Sequence, residues 1–172
     1  MKINDINISV VDFGDLERPF WNSIIKTTHL RRARIEIQTD DGVVGMAPCS
    51  GSASARATIV GPIKQKLLEE DPLRIGYLWD KMYMGGTRKP VAKGDYIRCM
   101  SAVDNALWDL KGKALGQPVW KLLGGAKKRV WAYAAGGYYA EGKGLRELAA
   151  ELESYVEDGF QAVKMKVGWD GI

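Results

Sequence analysis

The sequence has few metal-binding or redox-active side chains and no long apolar run. It contains two cysteines, Cys49 and Cys99, and a single histidine, which excludes a disulfide framework and a Cys/His zinc site. The longest uncharged stretch, from Gly42 to Ala55, is rich in Gly, Ser and Ala, so it does not form a transmembrane helix. The N-terminus alternates polar and apolar residues, unlike a signal peptide. We therefore expect a cytoplasmic protein that does not contact a membrane.

Charge of one sign does not dominate the sequence either. The 25 Lys and Arg residues nearly balance the 21 Asp and Glu residues, and the net charge is +4. The basic residues are scattered apart from short clusters, so we expect no nucleic-acid partner. The 172 residues, of which 46% are hydrophobic, are enough for one ordinary globular domain or for a small domain with part of another.

The first fifty residues have the alternation of apolar and polar side chains that is typical of half-buried strands. It occurs in residues 6–10 and 33–37, and an Asp-Asp-Gly turn at 40–42 leads into a third strand at 43–46. This pattern predicts a three-stranded antiparallel meander. The connection over residues 12–28 is expected to be long and irregular.

Helices are predicted in the middle of the chain. Apolar residues recur every three or four positions over residues 59–68, where Pro62 predicts a kink. Asp71-Pro72 predicts the start of a second helix that carries apolar residues between 73 and 82. A third helix with a wide apolar face is predicted from Asp95 to about Lys111. Residues 1–125 therefore form a predicted α+β domain.

The pattern changes after residue 125. It predicts a strand at 130–135, a Gly-rich loop at 136–144, a helix at 145–156 and a second strand at 162–167. A strand-helix-strand unit implies parallel strands with a right-handed crossover. We therefore predict a second domain, of the α/β type, that begins at residue 126 and includes the rest of the chain to 172.

Three segments resemble a known family. Residues 101–113, SAVDNALWDLKGK, look like the third-helix signature of the mandelate racemase/muconate lactonizing enzyme branch of the enolase superfamily, and residues 115–125, LGQPVWKLLGG, match the same family. Lys164-Met165-Lys166 resembles the Lys-x-Lys motif of the family's second barrel strand. The resemblance extends from Met1 to Ile172 and implies that 1–125 is a capping domain followed by the start of a TIM-type (β/α) barrel.

The resemblance also implies what this chain lacks. A complete barrel needs about 200 residues or more, so the chain is expected to be an N-terminal portion, truncated after the second barrel strand. The family's metal-binding carboxylates lie on later strands, so no metal ligand is expected here, and Mg²⁺ is expected only in the full-length enzyme. The chain alone should be inactive. Its partners would be the C-terminal half of the barrel, a small carboxylate substrate and, when intact, further copies of itself.

Lys164 and Lys166 are the candidate catalytic residues. Alternate residues of a strand point to one face, about 6.7 Å apart along it. Two ammonium groups this close disfavour each other's charge, which favours a neutral lysine that can act as a base. The spacing alone favours an edge strand with two solvent-facing surface lysines, because most lysines are exposed.

The family resemblance gives this pair a chemical role. It implies that Lys166 abstracts the proton α to a carboxylate, giving an enediolate, and that Lys164 tunes Lys166 and faces the substrate carboxylate. Pairing a lysine base with Mg²⁺ is a known property of the superfamily. A racemase, an epimerase, a cycloisomerase and an acid-sugar dehydratase all remain possible activities.

Phe20 and Trp21 are candidate substrate-binding residues. They lie in the predicted irregular connection, whose length suggests a lid, and family cap-domain loops close over the barrel mouth. The alternative is that Trp21 packs on the cap's own core.

Four more residues are candidates for contact with the substrate. Cys49 and Ser50 follow the third predicted strand, and by resemblance this segment faces the barrel mouth. Tyr133 and Tyr138 belong to the end of the first barrel strand and its loop, where barrel enzymes place their active sites. Aromatic packing under the cap is the alternative for the two tyrosines.

Two other functional classes stay open. Residues 137–144, GYYAEGKG, nearly match a phosphate-binding P-loop between a strand and a helix, but Gly144 replaces the Ser or Thr that would bind Mg²⁺. The chain could also be a non-catalytic fragment or interaction module that pairs with another polypeptide.

Overall fold

The structure is a computed structural model that describes residues 1–84 and 94–168. It contains two compact units. The first comprises Met1–Asp12 and Arg31–Ala126, and the second comprises Phe13–Leu30 and Lys127–Ile172. Within the described residues, no helix combines the length and the apolarity that are needed to span a bilayer.

Three strands form the meander: β1 (Ile3–Trp21), β2 (Lys26–Thr39) and β3 (Val44–Cys49). In the first unit β2 lies between β1 and β3, and the β2–β3 pair is antiparallel. The turn between them is closed by the Thr39 N–H, which donates to the Val43 carbonyl at 3.1 Å, and Gly42 has a φ of +84°. Glycine tolerates this left-handed backbone, so the Asp-Asp-Gly turn is confirmed.

The predicted irregular connection over residues 12–28 is wrong. In the second unit β1 continues to Trp21 and β2 begins at Lys26, so only residues 22–25 connect them. The Asn22 side-chain carbonyl accepts the N–H groups of Ile24 and Ile25, both at 2.8 Å. An asparagine that satisfies the turn's backbone donors allows both strands to continue to the turn. The ends of β1 and β2 form a two-stranded ribbon. Many of its residues are charged or exposed, so the alternation of apolar and polar residues did not predict it.

The helical segments of the first unit are α1 (Ala53–Thr58), a π-helical segment (Ile59–Ile63), α2 (Lys64–Leu67), α3 (Ile75–Tyr83), α4 (Asp95–Leu115) and α5 (Val119–Leu122). Gly61 departs from helical geometry, with φ −91° and ψ −105°, immediately before Pro62. The kink that Pro62 predicts is therefore confirmed, because proline disfavours a helical conformation in the residue before it.

Helix α4 lies against the sheet and supplies half of the buried helical residues in the first unit's core. Val103, Leu107 and Leu110 are completely buried in one cluster with Ile35 and Ile37 of β2. The helix ends at Gly116, whose φ of +61° gives the left-handed conformation that commonly terminates helices. The predicted buried helix is confirmed and is four residues longer than its sequence pattern indicated, since Leu115 is its last residue.

Two charged residues of the signature helix bind the exposed edge of β3. The Met46 N–H donates to Asp109 Oδ2 at 2.7 Å, and Lys113 Nζ donates to the Val44 carbonyl at 2.9 Å and to Asp109 Oδ2 at 2.7 Å. β3 is an edge strand, and an edge presents backbone groups that no neighbouring strand satisfies. Asp109 and Lys113 therefore fix the position of β3 on α4.

Asp109→Asn should lower the free energy of unfolding by about 1–2 kcal/mol. The substitution replaces charged acceptors by a neutral amide in the bonds to Met46 N–H and Lys113, and bonds to charged groups are worth about 1.5–3 kcal/mol each before solvent screening is considered. Urea denaturation measures the change. Asp80→Asn, at an exposed position of α3, is the control. An equal loss in both variants would contradict the edge-binding role.

The second unit contains the strand-helix-strand segment. Its elements are β4 (Ala134–Ala135), β5 (Tyr139–Ala140), α6 (Leu145–Glu157) and β6 (Val163–Lys164). β4 and β6 are parallel, with Ala134 opposite Val163, so the predicted parallel crossover is confirmed. Both strands are shorter than predicted, because the described β4–β6 sheet has only these two strands and few ladder bonds to extend them.

The Gly-rich loop contains an unexpected strand. β5 pairs antiparallel with the end of β1 in the second unit, with Phe20 opposite Ala140 and Trp21 opposite Tyr139. The sequence could not show this pairing, because Phe20 and Ala140 are far apart in the chain and the flanking glycines resemble a loop. The pairing attaches the loop after β4 to the strand that carries Phe20 and Trp21.

Candidate active site

Lys166 lies against the face of Tyr138 in the second unit. Its Nζ is 4.7 Å from the centroid of the Tyr138 ring, and its backbone N–H donates to the Gly137 carbonyl at 3.2 Å. An ammonium group at this distance is attracted by the electron-rich ring face. Lys166 and Tyr138 were proposed from the sequence for different reasons, and the structure places them in contact. This contact defines the position of the half-buried Lys166 side chain.

The other lysine of the motif belongs to the parallel pair. Lys164 is the last residue of β6, and its carbonyl accepts the Gly136 N–H at 2.9 Å. Its side chain is exposed. Lys166 follows the strand rather than lying within it, so the backbone of Lys164 anchors the position from which Lys166 extends.

Phe20 also contacts Tyr138. The two rings meet edge to face, with centroids 5.1 Å apart and an interplanar angle of 75°. Phe20, Tyr138 and Lys166 thus form one cluster within the second unit. The neighbouring Trp21 ring has Lys26 Nζ 5.2 Å from its centroid.

The remaining candidates lie elsewhere. Tyr133 immediately precedes β4 and is 50% exposed, so the structure does not place it beyond the strand with Tyr138. Cys49 and Ser50 belong to the first unit, where they line a cleft of about 370 Å³ together with Arg98 and Cys99. Burial, followed by the proximity of the other thiol, raises the pKa of Cys49, so this thiol is protonated at neutral pH.

A cleft of about 490 Å³ in the second unit borders the predicted base. Gly137, Tyr138, Lys143, Leu148 and Lys166 are among its lining residues. It therefore offers space beside Lys166 for a small molecule.

Sequence reasoning missed a carboxylate behind this cleft. Glu151 of α6 accepts the Gly137 N–H at 2.9 Å and the Tyr155 hydroxyl at 2.8 Å, and it forms an ion pair with Lys143. Lys143 Nζ also donates to the Tyr138 carbonyl at 2.7 Å. The i,i+4 spacing of Glu151 and Tyr155 on a helix was the only local signal of this network.

The network keeps Glu151 ionised. Burial by itself raises the pKa of Glu151, but hydrogen bonds from Lys143, the Gly137 N–H and Tyr155 outweigh it and hold the pKa below its usual value. The bond to this carboxylate also raises the pKa of Tyr155, so Tyr155 remains a donor. Lys143 is paired inside the protein, which argues against the P-loop alternative, where this lysine would bind a phosphate.

Comparison with known proteins identifies the family. Residues 5–124 match the family described as "Mandelate racemase / muconate lactonizing enzyme, N-terminal domain". The chain belongs to this family. The match covers the meander and the signature helix α4, so the resemblance drawn from residues 101–113 is confirmed.

Two enzymes of known activity are similar in sequence to most of this chain. The chain is 45% identical over 136 residues to the arabinonate dehydratase of Saccharolobus solfataricus, covering 77% of this chain and 36% of that protein. It is 30% identical over 171 residues to the D-galactarolactone cycloisomerase of Agrobacterium fabrum, covering 98% of this chain and 45% of that protein. The chain therefore spans less than half the length of these relatives.

A solved structure confirms the fold class. An enolase superfamily member from Polaromonas sp. JS666 superposes with a TM-score of 0.84 at 26% identity, covering 98% of this chain and 45% of that one. The α+β capping fold followed by the first strand-helix-strand of a barrel is thus shared with the family. The family match itself ends at residue 124, before Lys164 and Lys166.

The family also raises the question of a metal. Among residues 1–84 and 94–168, no group of three or more His, Cys, Asp or Glu side chains is placed to hold an ion. Hard cations such as Mg²⁺ need several oxygen ligands, so these residues do not fit a magnesium site.

Proposed function

We propose that the whole protein abstracts the proton α to the carboxylate of a sugar acid, and that Lys166 is the base. The observation that carries this proposal is the placement of Lys166, directly after the second strand of the parallel pair and beside a cleft. The arabinonate dehydratase and the D-galactarolactone cycloisomerase, to which the chain is similar, support a sugar acid or its lactone as the substrate class.

The proposed step transfers one proton. The neutral amine of Lys166 takes the α-proton and becomes an ammonium ion, while the electron pair of the broken C–H bond passes into the carboxylate to give an enediolate. In a dehydratase, the enediolate then expels the β-hydroxyl group, which takes a proton from solvent and leaves as water, while Lys166 releases the abstracted proton to solvent. The resulting enol becomes a 2-keto-3-deoxy acid.

The aromatic cluster supplies the environment of the base in this proposal. The Tyr138 ring face stabilises the ammonium form that Lys166 adopts after proton transfer, and Phe20 supports the ring from its edge. Lys164 is the proposed partner of the substrate carboxylate, which its charge attracts. Trp21, Cys49, Ser50 and Tyr133 remain proposed substrate contacts.

Several properties of the whole protein are part of the same proposal. Magnesium, which the family resemblance implies, would be held by residues outside this chain and would stabilise negative charge. The domain boundary at 125/126, the C-terminal barrel half as partner, the homo-oligomeric state and the cytoplasmic location are also proposed. The 172-residue chain alone is expected to be inactive.

Arabinonate is the first substrate to test. The whole protein, supplied with Mg²⁺ in deuterated water, should exchange the α-proton of arabinonate or another sugar acid and release a 2-keto-3-deoxy acid. NMR measures the exchange, and the isolated 172-residue chain is the control. The absence of exchange and turnover across pentonates, hexonates and their lactones would contradict the proposed function.

A further inference from the structure

The loop after β4 is held by the Glu151 carboxylate. Glu151 accepts the Gly137 N–H at 2.9 Å, and its ion-pair partner Lys143 donates to the Tyr138 carbonyl at 2.7 Å. Only 26% of the Glu151 side chain and 19% of the Lys143 side chain are exposed, so solvent screens this pair less than a surface pair. Both sides of the Gly137–Tyr138 peptide unit are therefore fixed by one half-buried ion pair.

Glycines allow this close approach. A Cβ atom on Gly136 would lie 2.2 Å from the Tyr155 hydroxyl and 2.6 Å from Glu151 Oε1. Gly137 has a φ of +61°, and a Cβ there would lie 2.4 Å from the Cβ of Met165. The loop backbone thus fills the space between the Glu151 carboxylate and the segment that carries Lys166.

The same peptide unit reaches the predicted base. The Gly137 carbonyl accepts the Lys166 N–H at 3.2 Å, and the Tyr138 ring lies 4.7 Å from Lys166 Nζ. A continuous chain of contacts therefore runs from Glu151 and Lys143, through Gly137 and Tyr138, to Lys166. These hydrogen bonds and this ring contact connect Glu151 and Lys143 to Lys166 through the loop.

We propose that Glu151 and Lys143 are positioning residues that fix Tyr138, so that its ring holds the ammonium group of Lys166. The catalytic part of this inference rests on the proposed function, in which Lys166 is the base. The positioning part concerns only geometry, and it is measurable without turnover.

The geometric test is an NMR experiment on the whole protein with ¹³C-labelled lysine ε-carbons. Protons above an aromatic face are shielded, so the Lys166 ε-methylene signal, assigned with Lys166→Arg, should lie upfield of the other lysines. Glu151→Gln and Lys143→Met should each move this signal to the position seen in Tyr138→Leu. Glu153→Gln, at an exposed site on the same helix, should leave it unchanged. An unshifted signal in the folded Glu151 and Lys143 variants would overturn the proposal.

The kinetic test distinguishes positioning from general destabilisation. Glu151→Gln should lower kcat for α-proton exchange by about 10- to 100-fold, the effect of a small displacement of a reacting group, with little change in KM. Because Glu151 acts through Tyr138, Glu151→Gln combined with Tyr138→Leu should be no slower than Tyr138→Leu alone. Tyr138→Phe, which keeps the ring, should lose less activity than Tyr138→Leu. Multiplicative losses in the double variant would show independent effects and overturn the proposal.

The two tests separate the two hypotheses. If the wild-type protein exchanges no sugar-acid proton but the Lys166 signal responds to Glu151→Gln, the proposed function fails and the positioning role stands. If the wild-type protein is active and neither the signal nor kcat responds to Glu151→Gln, the positioning role fails and the proposed function stands.

Discussion

Replacing Lys166 with methionine in the whole protein should abolish α-proton exchange, with a loss of more than about 1000-fold. A positioned general base contributes about 10²- to 10⁴-fold to a rate, and no other basic side chain is known to contact the Tyr138 ring among the described residues. Methionine has a similar length and no titratable group, so the loss should reflect chemistry rather than a gap in packing. NMR detection of deuterium incorporation into the sugar acid measures the effect.

Two further variants make this result specific. Lys164→Met should weaken substrate binding, seen as a higher KM, because Lys164 is the proposed partner of the substrate carboxylate. Lys127→Met, at an exposed position, should exchange at the wild-type rate. Undiminished exchange in Lys166→Met would show that another group is the base.

Local patterns predicted the elements whose partners are close in sequence. The β2–β3 hairpin followed from alternation around an Asp-Asp-Gly turn, and α4 followed from its apolar stripe, because each is stabilised mainly by its own periodic face. The ribbon formed by the ends of β1 and β2 was missed, because its residues are exposed and charged. Its other partner, β5, lies more than a hundred residues away and is hidden among glycines.

The candidate site shows the same division. Lys164 and Lys166 were found because a motif of a recognised family contains them, and Tyr138 because it follows a predicted barrel strand. Glu151 was not found, since a carboxylate on an amphipathic helix looks like a solvent-exposed residue. Its importance depends on the path of the loop over Gly136 and Gly137, and only the fold shows that path.

Gly45→Ala should destabilise the first unit by about 3 kcal/mol, the upper end of the usual cost of overpacking. Gly45 lies in β3 opposite Ile37 and is buried beneath α4. A Cβ atom there would lie 2.2 Å from the Ala106 carbonyl oxygen and 2.5 Å from the Leu110 Cβ. Neither atom is the end of a flexible side chain: one belongs to the α4 backbone and the other is attached directly to it. The whole helix α4 would therefore have to move away from β3.

Gly76→Ala is the matched control, because the same substitution at this position should raise the stability instead of lowering it. Gly76 lies in α3, is exposed, and has no atom within 4 Å of the position that a Cβ would occupy. Alanine in a helix is favoured over glycine by up to about 1 kcal/mol, so this variant should be slightly more stable than the wild type. Urea denaturation compares the two variants through their midpoints. A Gly45→Ala variant that unfolded at the wild-type midpoint would contradict this prediction. It would mean that α4 can move away from β3 at little cost in free energy, so the close packing of the helix on the strand would not explain the glycine at position 45.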